Sequence, residues 1–153
     1  MLKNKIYKSL SLITLIFFFV LIFKKNHIDT SFSINNYKGK WLIINYWAEW
    51  CLPCIKEISE LNKLNAEYND KLKVLGVNFD RLTGNELFNI INKMGISFEN
   101  LENDPSSILK LSRPTALPTT YIFNKDGNLS FKLVGPQTME SLLKRMKIEK
   151  DSD

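Results

Sequence analysis

The two cysteines of this chain lie two residues apart, at the point where an apolar run passes into a helical pattern. Residues 41–47 have the composition of a strand buried on both faces, and residues 53–58 begin a helix with proline in its first turn. Cys51 and Cys54 therefore lie at the N-terminus of a predicted helix, where free N–H groups and the helix dipole stabilise a thiolate. This placement predicts a reactive dithiol.

Three other interpretations of the cysteine pair stay open at this stage. A tetrahedral zinc site needs two more Cys or His ligands, and the chain offers only His27, so we predict no metal site. The two thiols are also compatible with ordinary core packing, or with a structural disulfide, although so short a loop removes little chain entropy. We favour thiol-disulfide exchange over all three.

The N-terminus carries a second apolar run, residues 10–23, with lysines on both sides. Its 14 residues are few for a membrane span, but extension back to Ile6 approaches the required length. No Ala-x-Ala-like cleavage pattern follows it, so we expect an uncleaved signal anchor, with a cleaved signal peptide as the alternative. The flanking lysines favour a cytoplasmic N-terminus and a soluble domain outside the membrane, as a single-pass protein of the cytoplasmic membrane.

We expect four parts in the chain: the anchor at 1–25, a short linker at 26–36, a folded domain at 37–148 and a tail at 149–153. The formal net charge is +5, yet the lysines are scattered and form no basic stripe interleaved with aromatic residues. Nucleic-acid binding is therefore not expected. The basic residues beside the apolar run have a sufficient explanation in anionic lipid headgroups.

Hydrophobic periodicity and turn residues predict the remaining elements. The predicted helices span 52–68, 84–94 and 104–111, the last a short one capped by Asp104, and a final helix begins after Thr138. The predicted strands span 72–79, 96–98, 119–123 and 129–134, the last two joined as a hairpin by Asp126-Gly127. This order predicts an α/β fold whose central sheet is mixed, with helices on both faces.

Several motifs resemble one family of redox proteins. They are the block NYWAEWCLPC at 45–54, Glu57 three residues after the second cysteine, the segment LPTTYI at 117–122, and Asp126-Gly127 before the last strand. Together they resemble the membrane-anchored thiol-disulfide oxidoreductases of the TlpA/ResA/CcmG kind, over about residues 37–146. The resemblance implies a thioredoxin-like fold.

The resemblance also implies roles for individual residues. Cys51 is expected to be the exposed attacking thiolate and Cys54 the buried resolving thiol, so that a redox-active Cys51–Cys54 disulfide forms and no cofactor is needed. Pro118 is expected to be a cis-proline beside the dithiol, with an ordinary trans turn proline as the alternative. Glu57 corresponds to an acidic residue near the active site, with a solvated helix glutamate as the alternative. The expected substrate-binding residues are Trp50, Leu52, Pro53 and Leu117, with core packing as the alternative role of Trp50.

The function that the resemblance implies is reduction of protein disulfides outside the cytoplasmic membrane, such as those of apocytochrome c during its maturation. A membrane electron donor of the DsbD/CcdA kind is the expected partner. A dithiol oxidase is the alternative within the class, because the motif does not set the direction of exchange. A membrane-tethered binding module for unfolded chains, with an incidental dithiol, is the alternative from another class.

Two residues depart from the family pattern. Ser59 stands where these proteins usually have a proline that kinks the helix. Glu49 replaces a small or hydroxyl residue, and a carboxylate so close to Cys51 is expected to oppose thiolate formation.

Overall fold

The computed structural model describes residues 32–149, which are built around a five-stranded sheet. The strands are β1 (Trp41–Trp47), β2 (Leu72–Asn78), β3 (Glu99–Leu101), β4 (Thr119–Phe123) and β5 (Leu129–Val134). Their order across the sheet is β3-β2-β1-β4-β5. Strands β1, β2 and β3 are parallel, whereas β4 is antiparallel to both β1 and β5. The prediction of a mixed sheet with a closing hairpin is therefore confirmed.

Three α-helices and one 3-10 helix accompany the sheet in the described residues. They are the 3-10 helix Ile34–Tyr37, α1 (Leu52–Glu67), α2 (Gly84–Lys93) and α3 (Met139–Met146). Helix α1 runs without interruption through Ser59, the position where the family pattern has a proline. Thr138 caps α3, since its side chain accepts a hydrogen bond from the Ser141 N–H and Ser141 bonds back to the Thr138 N–H.

All three α-helices pack on one face of the sheet. The connections from β1 to β2 and from β2 to β3 advance in the same direction, and right-handed crossovers then place both helices on the same side. The core on this side joins sheet and helix residues, among them Ile43, Val74, Ile122, Ile58, Leu61, Leu64, Leu87, Leu142 and Leu143. Packing in this core holds α1, with its cysteines, against the sheet.

The opposite face is covered without an α-helix. Its core lies under the 3-10 helix, the residues just before it and the connection from β3 to β4, which together contribute Phe32, Ile34, Tyr37, Leu109 and Leu111. Helices were predicted on both faces. The α-helices lie on one face, and among the described residues the opposite face has only the short 3-10 helix.

The predicted helix 104–111 was wrong, because the segment forms a single turn. Asp104 accepts a hydrogen bond from the Ser106 N–H at 2.9 Å, as an N-cap does. Lys110 then adopts a left-handed conformation (φ 54°), and the Leu111 N–H bonds the Ser106 carbonyl at 2.8 Å. The left-handed residue and this hydrogen bond end the helix after a single turn.

Strand β3 lies three residues beyond the extended segment predicted at 96–98. The side chain of Asn100 in this strand accepts a hydrogen bond from the indole N–H of the buried Trp47 at 2.8 Å. A Cβ atom at Gly76 would overlap that amide oxygen. The glycine in β2 therefore makes room for the bond that ties β3 to the centre of the sheet.

Among residues 32–149, no helix has the length and apolar character needed to cross a membrane. The predicted anchor at 1–25, linker residues 26–31 and tail residues 150–153 lie outside the described residues.

Candidate active site

Cys51 and Cys54 form a disulfide at the N-terminus of α1, with an S–S distance of 2.08 Å and 5.2 Å between the Cα atoms. Cys51 is the N-cap residue, and its Sγ accepts a hydrogen bond from the Cys54 N–H at 3.3 Å. Cys51 is 5% exposed and Cys54 is 1% exposed, so the expectation of an exposed Cys51 is wrong for the disulfide form, whereas that of a buried Cys54 is confirmed. The same N–H and the helix dipole are placed to stabilise a thiolate at Cys51 when the disulfide is reduced.

Pro118 lies immediately before β4, and the Leu117–Pro118 peptide bond is cis, as the resemblance implies. The Pro118 carbonyl accepts a hydrogen bond from the Gly135 N–H at 2.9 Å. Leu117 borders the same groove as Cys51. The segment that leads into β4 therefore reaches the surface beside the disulfide at Leu117.

A shallow, largely apolar groove runs along the disulfide. Trp50 and Leu52 at its rim are 63% and 72% exposed, which is unusual for such large apolar side chains. The Trp50 indole N–H donates to the Asp80 carboxylate at 3.0 Å, and its ring meets Phe79 edge-on. The structure thus brings the four predicted substrate-binding residues into one surface, and their role in binding stays a prediction. The groove is lined by Trp50, Cys51, Leu52, Pro53, Phe79, Thr115, Ala116 and Leu117.

Glu57 is buried, with 2% of its surface exposed, so the alternative of a solvated helix glutamate was wrong. The Asn45 side-chain amide donates to its Oε2 at 3.0 Å, and the Gln137 N–H donates to its Oε1 at 2.9 Å. Burial raises the pKa of Glu57 to about 7, against the two hydrogen bonds, which favour the charged form and lower it. A carboxyl group with such a pKa can take up or release a proton near neutral pH.

Three residues around Glu57 were not identified as site residues from the sequence: Asn45, Thr120 and Gln137. Asn45 also donates to Thr120 Oγ1 at 3.0 Å, so its amide joins a strand residue to the helix glutamate. A signal for Asn45 was present, because it is the one polar side chain with an amide in the apolar run 41–47. Gln137 contributes its peptide N–H, which no side-chain pattern reveals.

Glu49 forms an ion pair with Lys93 at the end of α2. The Glu49 carboxylate is expected from the sequence to oppose ionisation of Cys51, and the lysine partly offsets that charge. Because both side chains are substantially exposed, screening by solvent makes this ion pair weak. The two residues are 44 positions apart, so the pairing depends on the crossover that places α2 beside α1.

Within residues 32–149, no group of three or more His, Cys, Asp or Glu side chains is arranged to hold a metal ion.

Comparisons with known proteins identify sequence relatives. The model of the AhpC/TSA family matches residues 20–132. Thioredoxin-like protein YneN of Bacillus subtilis is 31% identical over 119 residues, covering 76% of this chain and 69% of that protein. Thiol-disulfide oxidoreductase ResA of Bacillus anthracis is 30% identical over 111 residues, covering 72% of this chain. The match spans 64% of the length of that ResA protein.

Solved structures share the fold. A DsbF homologue from Corynebacterium diphtheriae superposes with a TM-score of 0.64 at 24% identity, covering 76% of each chain. StoA from Bacillus subtilis superposes with a TM-score of 0.58 at 24% identity, covering 71% of this chain and 83% of that one. At this identity the likeness concerns the fold alone.

Proposed function

The chain belongs to the AhpC/TSA family of thioredoxin-fold proteins, and from that premise we propose that it is a thiol-disulfide oxidoreductase that reduces protein disulfides through Cys51 and Cys54. The observation that carries the proposal is the disulfide at the N-terminus of α1, beside an apolar groove and one turn from a buried carboxyl group. The ResA relatives are named thiol-disulfide oxidoreductases, which supports the class of reaction.

In the proposed reaction, the Cys51 thiolate attacks one sulfur of a substrate disulfide and expels the other as a thiolate. This step forms a mixed disulfide. Cys54 then attacks Cys51 Sγ, which releases the second substrate sulfur as a thiolate and closes the Cys51–Cys54 disulfide. Two electrons pass to the substrate, whose two thiolates take up protons. Glu57 is the proposed acceptor of the proton that Cys54 loses.

The groove supports an extended substrate segment as the second part of the proposal. Trp50, Leu52, Pro53 and Leu117 present apolar surface around Cys51, the only cysteine of the pair that borders the groove. An apolar stretch of a partly unfolded protein gains by covering this surface. Folded substrates with buried disulfides are expected to react poorly.

We further propose that the protein acts at the outer side of the cytoplasmic membrane, held by residues 1–25. The apolar run at 10–23 and its flanking lysines support this arrangement. Every turnover leaves the Cys51–Cys54 disulfide, so sustained reduction needs an electron donor. A membrane protein of the DsbD/CcdA kind is the proposed donor, and cysteines of apocytochrome c are the proposed substrates.

The reductase proposal is tested by measuring the redox state of Cys51 and Cys54 in growing cells by thiol alkylation. We expect mostly reduced thiols, because a reductase can act only while its dithiol is kept reduced. Mostly oxidised cysteines would favour the dithiol oxidase instead. As a control, a Cys51→Ser/Cys54→Ser double variant should lose biological function, and retention of function would favour a binding module.

The topology is tested by adding a protease to the outside of intact cells or protoplasts. We expect digestion of residues 32–149 and survival of an N-terminal fragment, because the folded domain lies outside the membrane in the proposed arrangement. The same treatment after detergent lysis is the control. Protection in intact cells combined with digestion after lysis would place the domain on the cytoplasmic side and refute the arrangement.

A further inference from the structure

Asn45 places a polar amide in the buried part of the central strand, β1. It is 1% exposed and lies directly opposite Thr120 in the antiparallel pairing of β1 with β4. Its Nδ2 donates one hydrogen bond to Thr120 Oγ1 and another to Glu57 Oε2, both at 3.0 Å. The amide nitrogen has two donor hydrogens, so both are used.

The second oxygen of Glu57 is held from another direction. The Gln137 N–H donates to Oε1 at 2.9 Å, and Gly135, two residues earlier, donates its N–H to the Pro118 carbonyl. Thr120 likewise lies two residues after Pro118. Both groups that hold the carboxyl group are therefore linked to the segment 118–120: Asn45 through Thr120, and the loop of Gln137 through the Gly135–Pro118 hydrogen bond.

Few other groups near Glu57 can influence the protonation of its carboxyl group. The groups that face it from β1 and the loop before α3 are the neutral Asn45 amide and the Gln137 peptide group. On its own helix, Glu60 accepts a hydrogen bond from the Met139 N–H at 3.0 Å, Lys56 is exposed, and Cys51 and Cys54 are bonded to each other. A buried carboxylate in such a place depends on its hydrogen-bond donors.

We propose that Asn45 is a positioning residue for disulfide exchange: its amide, oriented by Thr120, fixes the Glu57 carboxyl group and favours its ionised form. This inference rests on the proposed function for its link to exchange. An apolar side chain at position 45 would pack in the strand without burying a polar group. The amide is better explained by its two acceptors than by packing.

The test begins with the disulfide form, in which no thiol titrates. The side-chain carboxyl carbon of Glu57 is followed by NMR from pH 4 to 9 in wild type and in Asn45→Leu. Loss of a hydrogen bond to a charged group is expected to raise the pKa of Glu57 by about one pH unit. Thr120→Val should give a smaller rise in the pKa of Glu57. The Asn45 amide still donates to Glu57, but it loses the hydrogen bond to Thr120 that orients it.

Thr119→Val is the matched control. Thr119 is also buried in β4, but its hydroxyl donates to the Ala116 carbonyl, whereas the Asn45 amide donates to Thr120 and Glu57. Its Glu57 titration should match the wild type. If Asn45→Leu does not fold, the comparison of Thr120→Val with Thr119→Val decides the question by itself.

A second readout concerns the reduced protein. The pH dependence of disulfide exchange should move to higher pH in Asn45→Leu, and the Asn45→Leu change should have no such effect in a Glu57→Gln background. Unchanged Glu57 titration in both Asn45→Leu and Thr120→Val would overturn the inference. Because that titration needs no turnover, it stays decisive even if the wild type fails to reduce protein disulfides, a result that would instead overturn the proposed function.

Discussion

A Cys54→Ala variant is expected to accumulate covalent adducts with its protein substrates. Cys51 borders the groove and accepts a stabilising N–H at the helix terminus, so it can still attack a substrate disulfide. Cys54 is more deeply buried, does not border the groove, and in the proposed reaction only resolves the mixed disulfide. Without it the adduct persists, and multiple-turnover reduction falls to near background.

The adducts are measured on non-reducing gels after rapid acid quenching and alkylation, and they should disappear on addition of a reductant. Cys51→Ala is the matched control, because it removes the same number of atoms from the other cysteine. It should trap far less, since Cys54 lies behind Cys51 and away from the groove. Equal trapping by the two variants would show that the assignment of attacking and resolving roles is wrong.

The local features of the site could be predicted from the sequence because they depend on neighbouring residues. The apolar run before Cys51 and the proline after it are sufficient to predict a strand passing into a helix N-terminus. The Asp126-Gly127 turn between two β-rich runs similarly predicts the hairpin. The cis bond before Pro118, in contrast, was implied only by the resemblance, since proline itself favours trans.

The remaining features depend on contacts between distant residues. Sequence spacing does not show that Glu57 contacts Asn45, because that contact requires α1 to pack back against β1. The Lys93 ion pair with Glu49 has the same origin. The placement of α1 and α2 on the same face follows from the strand order, and that order becomes known only when β3 pairs with β2.

Replacement of Glu57 by Gln is expected to remove a large pH dependence from the stability of the disulfide form. Burial raises the pKa of Glu57 from its ordinary value of 4.5 to about 7 in the folded protein. Its contribution is then fully present below pH 4.5 and is lost as the pH rises to about 7, because the folded state retains a proton that the unfolded state has released. The difference corresponds to roughly 3 kcal/mol.

The measurement is urea unfolding of the disulfide form at a series of pH values from 4 to 8. Between the ends of this range, the free energy of unfolding of wild type should fall relative to Glu57→Gln by roughly 3 kcal/mol. Glu57→Met is the control: it should show the same altered pH dependence, although its stability at every pH differs because the Asn45 and Gln137 donors lose their acceptor. Parallel curves for wild type and both variants would mean that Glu57 titrates alike in the folded and unfolded chain. In that case Glu57 would lack the near-neutral pKa on which its proposed role as proton acceptor depends.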